Sequence, residues 1–245
     1  MGAGRLDNIF IILVGTKYAG NVGSAARAMQ NMGLCQLRLA APQCGIDREA
    51  ERMARKGTRV LESARTFRSL STALRGIRLV VGTTGRTGGY RRQALNPRVL
   101  AKKVLAQSRI QKVGIVFGPE DTGLVDDDLL LCHILLRIPT DRRAHSINLA
   151  QAVMIVSYEL FVAQMEHQPS RLLKLAPFDE IEAMYAQLEE ALRKIGYLHS
   201  QNARHMMIRL RQLFGRTGLE HPDVAVLRGI ARQIAWYGSR QSERP

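Results

Sequence analysis

The sequence predicts an α/β protein with a mostly parallel sheet, followed by a small all-helical appendage. Over the first two thirds of its 245 residues, short β-branched runs alternate with helical patterns, the way strands and crossover helices of such a sheet read. Beyond Pro169 no β-rich run remains, and apolar residues recur at helical spacing. With 46% hydrophobic and 23% charged residues, the composition is globular, which excludes disordered, collagenous and coiled-coil classes.

Strands are predicted at residues 9–14, 36–39, 79–83, 113–117 and 134–138. The first predicted helix spans 24–32, with Ala and Met on one face and Gly33 as its C-terminal cap. A second, at 126–131, opens on three aspartates, which suit the positive end of a helix dipole. A third, long and apolar, runs from 148 to 165 and is ended by Gln168-Pro169-Ser170. In the tail, Ile181, Met184, Tyr185, Leu188, Leu192 and Ile195 repeat at helical intervals, as do Met206, Met207, Leu210, Leu213 and Phe214. Gly215-Arg216-Thr217-Gly218 and His221-Pro222 precede a last helix carrying Val224, Leu227, Ile230, Ile234 and Trp236. The methionines read as core filling. The expected organisation is an α/β domain at 1–165, a linker at 166–176 and a helical extension at 177–245.

The N-terminal apolar run, residues 9–14, is far shorter than the ~20 residues that cross a bilayer and leads into a polar, glycine-bearing stretch, so neither a membrane span nor a secretory signal is expected. A cytoplasmic protein is the expectation. Cys35, Cys44 and Cys132 are odd in number and form no C-x-x-C pair, which supports neither a disulfide framework nor a zinc site.

Charge is more informative. The chain carries 36 Lys and Arg against 21 Asp and Glu, a formal net charge of +15. Residues 48–112 hold 17 of the bases and only 3 acids, so nearly all the excess sits in one segment. Of the 36 bases 29 are Arg, whose planar fork suits phosphate, and a polyanion such as nucleic acid is the expected partner.

Familiar catalytic signatures are missing. No G-x-x-x-x-G-K-[ST], strand-following G-x-G-x-x-G, G-x-S-x-G or H-E-x-x-H occurs, which removes P-loop, Rossmann, serine-hydrolase and zinc-protease chemistry. Three polar, glycine-containing loops remain, each after a predicted strand, where open α/β sheets bind ligands. The first is Gly20-Asn21-Val22-Gly23-Ser24-Ala25-Ala26-Arg27, in which Asn21 and Ser24 can cap the following helix and Arg27 lies one turn in. In the second, 116–124, two glycines bracket the acidic pair Glu120-Asp121, so backbone can approach a ligand while a carboxylate orients it. The third, 138–149, leads through Ser146 and Asn148, either of which could be an N-cap. A weaker element is Gly82-Thr83-Thr84-Gly85-Arg86, just before the basic Arg91-Arg92.

G-N-x-G-S-x-A-R-A at 20–28, V-F-G-P-E-D-x-G-L at 116–124 and S-I-N-L-A-Q-A-V at 146–153 resemble, in order and separation, the three motifs of the SPOUT superfamily of RNA 2′-O-ribose methyltransferases. With G-T-T-G-R at 82–86 and the helical extension, the chain is most similar to the TrmJ branch, which acts on anticodon-loop nucleotide 32 of tRNA. The resemblance implies S-adenosylmethionine as donor, a homodimer with a shared active site, and a trefoil knot formed by the second and third motif regions. It implies that the cofactor is held by Thr83, Thr84, Gly85, Gly118, Ile138, His145, Ser146 and Ile147. Arg27 matches the family's essential arginine, with Asn21, Glu120, Ser146 and Asn148 around it. His145 stands where close relatives often carry a small residue.

The implied reaction needs an oxygen aligned with an activated methyl and relieved of its proton. Arginine is a poor base, because it is effectively always charged, so Arg27 is expected to stabilise the developing alkoxide and the neighbouring phosphate. Ser146 is expected to accept or relay a hydrogen bond and Glu120 to position Arg27 or the substrate. No metal is expected. Arg48, Arg52, Arg55, Lys56, Arg59, Arg86, Arg91 and Arg92 are the expected phosphate contacts. With only 5% aromatic residues, recognition should rest on shape and backbone, with Tyr18 and Tyr90 as stacking candidates. The rival readings are the same chemistry on ribosomal RNA, and an RNA-binding protein of this fold without catalysis.

Overall fold

The computed structural model describes residues 6–86, 93–141, 143, 146–165 and 174–242. Six strands, β1 (Ile9–Val14), β2 (Gln36–Ala40), β3 (Arg65–Phe67), β4 (Leu79–Thr83), β5 (Val113–Phe117) and β6 (Ile134–Leu136), form one sheet. Their order is β3-β2-β1-β5-β4-β6, and every neighbouring pair is parallel. The helices are α1 (Ala19–Asn31), α2 (Arg48–Ala54), α3 (Thr58–Glu62), α4 (Leu70–Ala73), α5 (Pro97–Ser108), α6 (Asp126–Leu130), α7 (Leu149–Met165), α8 (Phe178–Lys194), α9 (Ala203–Thr217) and α10 (His221–Ser242).

The central strands are unbroken apolar runs because both of their faces are covered. All of β1 and β5 is buried. Alternation sends Ile9, Ile11 and Leu13 to one face, where they meet Val22, Ala26 and Met29 of α1, Leu100 and Val104 of α5, and Val153, Val156 and Leu160 of α7. Phe10, Ile12 and Val14 point the other way, against Leu70 and Ala73 of α4, Leu129 of α6 and Phe178 of α8. The sheet is therefore the middle of three layers.

Strands 9–14, 79–83 and 113–117 fall where expected. The second strand runs one residue further, to Ala40, and the last stops at Leu136 rather than 138. β3 was not anticipated; it is a three-residue edge strand, largely exposed, paired with Arg38–Ala40. The largest correction concerns α1. It starts at Ala19, so the expected loop of Gly20 to Ser24 is already helix, and neither Asn21 nor Ser24 is its cap. The N-cap is Tyr18, in an extended conformation and without a side-chain capping bond. Asn148 does cap α7: its Oδ1 accepts from the Ala150 N–H at 2.9 Å.

The tail is helical, as expected, and the residues between Met165 and Lys174 lie outside the described ones. Met184, Tyr185, Met207 and Val224 build a core between α8, α9 and α10. That core is fastened to the sheet layer: Arg78 Nη1 donates to the Leu175 carbonyl at 2.6 Å, and the Phe178 N–H to the Ile77 carbonyl at 3.2 Å.

Candidate active site

β1 and β5 lie side by side at the centre of the sheet, but the chain leaves β1 towards β2 and leaves β5 towards β6, on opposite sides. At such a reversal the two loops diverge and open a crevice beyond the strands' carboxyl ends. Here side chains tie the diverging loops together. Lys17 Nζ donates to Asp121 Oδ2 at 2.6 Å; this bond, reinforced by charge, holds the Lys17 pKa up and the Asp121 carboxyl below its usual range. The Lys17 N–H donates to Glu120 Oε2 at 3.1 Å, and Asn21 Nδ2 donates to Glu120 Oε1 at 2.8 Å. Asn148 Nδ2 then donates to Asn21 Oδ1 at 3.0 Å. One hydrogen-bonded chain, Asn148 to Asn21 to Glu120, joins the three motif turns, and the capping bond of α7 fixes its far end.

Beside this chain lies a cavity of about 570 Å³. Of the residues expected to hold a cofactor, Thr83, Thr84, Gly85, Gly118, Ile138, Ser146 and Ile147 line it, together with Glu120. His145 is outside the described residues. Its deeper wall, which the sequence did not point to, is apolar: Phe117, Leu136, Leu149 and Ala152. Gly118 is needed because the chain doubles back on itself. A Cβ there would lie 2.2 Å from Gly123 C and Leu124 N. Arg86 closes one rim, its Nη2 donating to the Thr122 carbonyl at 3.3 Å.

Arg27 does not join this cluster. It lies six residues beyond Asn21 on α1, about 9 Å further along the axis at 1.5 Å per residue, and is exposed rather than cavity-lining. The expectation that it sits one turn in is corrected by the earlier start of α1, at Ala19. Of the expected RNA contacts, Arg48, Arg52, Arg55, Lys56 and Arg59 are exposed on α2, α3 and the turn between them. Tyr18 is 62% exposed beside Glu120's anchor. Tyr90, Arg91 and Arg92 are outside the described residues. Among the described residues no cluster of His, Cys, Asp or Glu is arranged to hold a metal ion, and no helix is long and apolar enough to cross a membrane.

Residues 8–158, which contain the whole sheet and all three turns, match the SpoU rRNA Methylase family. The chain belongs to that family. Beyond the SpoU methylase region, residues 179–244 match the C-terminal domain of the tRNA methyltransferase TrmJ. The tRNA (cytidine/uridine/adenosine-2′-O-)-methyltransferase TrmJ of Pseudomonas aeruginosa is 38% identical over 92% of this chain and 93% of its own length. The tRNA (cytidine/uridine-2′-O-)-methyltransferase TrmJ of Pectobacterium atrosepticum is 36% identical over 94% and 97%. The crystal structure of TrmJ from Z. mobilis ZM4 superposes with a TM-score of 0.77 at 34% identity, covering 92% of this chain and 98% of that one. The six-stranded parallel sheet is thus that of the SpoU methylases.

Proposed function

We propose that this chain, as a cytoplasmic homodimer, transfers a methyl group from S-adenosylmethionine to the ribose 2′-hydroxyl of nucleotide 32, cytidine or uridine, in the tRNA anticodon loop. The observation that carries the reading is the cavity walled by the second and third motif turns and by Thr83–Arg86, with Asn21 of the first motif bonded to Glu120 at its edge and to Asn148.

The residues present fit the donor. The volume falls within the ~300–1,000 Å³ of small-molecule sites. Its apolar wall suits a nucleoside, and the turns at Thr83–Gly85, Gly118 and Ser146–Ile147 offer backbone donors and acceptors to the polar ends. Bound there, S-adenosylmethionine supplies a methyl group activated by its positive sulfur. The protein's own task is to align the ribose oxygen and handle its proton. Glu120, with one donor on each oxygen, is a fixed carboxylate at the cavity edge. Ser146 is exposed at the same opening and can take a hydrogen bond from the hydroxyl. Arg27 serves the partner's cavity, where its guanidinium stabilises the developing alkoxide and the adjoining phosphate.

The surface of α7 supports the dimer. Val153, Val156 and Leu160 face the core, while Tyr158 (51%), Phe161 (36%) and Met165 (72%) leave an apolar stripe exposed. A trefoil knot is supported by backbone bonds on both sides of β6: the Thr84 N–H donates to the Leu136 carbonyl, Leu95 N–H to Leu135, and Arg137 N–H to Leu95. The chain then continues past Ser146 into α7, between α1 and α5. The helical extension, a unit appended to the domain of residues 1–165, favours tRNA over ribosomal RNA because its match is to TrmJ. The basic surface of α2 and α3 contacts the RNA backbone.

The test is methyl transfer to an unmodified tRNA transcript, with the site mapped by mass spectrometry. One methyl on the ribose of nucleotide 32, lost when that nucleotide is 2′-deoxy, is expected. Undiminished transfer to the 2′-deoxy transcript would overturn the reading.

A further inference from the structure

Where α2 ends, Arg55 takes φ +46° and ψ −109°. A residue with a side chain holds that conformation only when its surroundings impose it, and such strain gathers at functional sites. Two residues on, a Cβ at Gly57 would lie 2.7 Å from both the backbone N and the Cα of Arg27, so the turn of residues 55–57 is seated on the backbone of α1 at that arginine. Five cations are exposed on this turn and beside it, Arg27, Arg52, Arg55, Lys56 and Arg59, with Glu49, Glu51 and Glu62 as the acids of the same two helices. Among the described residues none of them forms an ion pair. A glycine at 55 would relieve the backbone, yet the chain keeps an arginine there, in the turn that meets Arg27.

We propose that Arg55 binds the substrate: its strained turn keeps it beside Arg27, and together the two guanidinium groups hold the phosphodiester adjoining the ribose that is methylated. The unfavourable backbone is retained because the bound phosphate uses it. The inference rests on the reading that Arg27 serves the methylation site, and it assigns Arg55 to the same strand of RNA, apart from the other basic residues that track the backbone more loosely.

The experiment compares Arg55→Gly, Arg55→Lys and Ala41→Gly. Ala41, at φ +45°, is the second non-glycine residue with positive φ among the described ones, and it serves as the control for strain alone. For each variant, Tm, tRNA binding by fluorescence anisotropy across a salt series, and KM for tRNA and for S-adenosylmethionine are measured. Both glycine variants are expected to raise Tm by about 2–6 °C. Only Arg55→Gly should weaken tRNA binding and raise its KM, by about tenfold, with the salt slope smaller by about 1 and KM for S-adenosylmethionine unchanged. Arg55→Lys, which keeps the charge but not the fork, should lose an intermediate amount. A more stable Arg55→Gly protein with wild-type tRNA affinity and salt slope overturns the inference, even if methyl transfer proceeds as proposed. Because binding is read independently of turnover, a wild-type chain that binds tRNA but does not methylate it would sink the functional reading and still decide this one.

Discussion

Asn21 donates to Glu120 Oε1 across 2.8 Å, tying the first turn of α1 to the loop after β5. Because Asn21 accepts in turn from Asn148, a change at either asparagine should be felt at the carboxylate. Asn21→Ala and Asn148→Ala are each expected to lower kcat by about 5- to 100-fold, the loss of one positioned hydrogen bond worth about 1–3 kcal/mol. The double variant should lose less than the product of the two. A double-mutant cycle on kcat measures this, and simple multiplication of the losses would show that the two asparagines act separately.

Gly118→Ala places a methyl group 2.2 Å from the backbone of Gly123 and Leu124, so the loop must move. That loop is one wall of the cavity. Calorimetry with S-adenosylmethionine should show affinity reduced by at least about 100-fold, since overpacking forces backbone shifts. Binding at wild-type strength would place the cofactor elsewhere.

His133 gives the fold an acid sensitivity. Its buried Nδ1 accepts from the Val80 N–H at 3.0 Å, and burial, helped by the Arg211 charge, pushes its pKa down to about 4. An unfolded histidine titrates near ~6.5. Between these values the unfolded chain binds a proton that the folded one refuses, so stability falls as pH drops from about 6.5 to about 4, by roughly 3 kcal/mol in all, and is unaffected above that window. Urea midpoints at pH 7 and pH 5 should differ by less in His133→Asn, whose side-chain oxygen can still accept from Val80. An equal drop in both proteins would assign the sensitivity to other groups.

How far the fold was legible depends on burial. β1, β4 and β5 announce themselves because two covered faces demand continuous apolar residues. β3, Arg65-Thr66-Phe67, sits at an exposed edge, where nothing requires such a run. The start of α1 was hidden by Gly20 and Gly23, which read as loop. Gly23 is small for a packing reason, since a Cβ there would lie 2.0 Å from the Ala50 carbonyl oxygen of α2. The sequence does carry start signals for two further helices, the capping box of α4 at Ser69 and Thr72 and the Asn96-Pro97 start of α5. At the site, Glu120 and Ser146 line one cavity, and Asn21 and Asn148 join it through Glu120, while Arg27 does not. Arg27 stands apart because α1 starts at Ala19, which carries it two turns into the helix and away from the cavity.

The central claim is that each cavity works with the arginine of the opposite subunit, and complementation tests it most directly. Arg27→Ala retains the cavity but lacks the arginine; Gly118→Ala retains the arginine but lacks the cavity. Mixed in equal amounts and allowed to exchange subunits, the two inactive proteins should recover about one quarter of wild-type methyl transfer, because half the dimers then carry one intact composite site of two. Mixtures that stay as inactive as either variant alone, after exchange has been verified, would contradict a shared site.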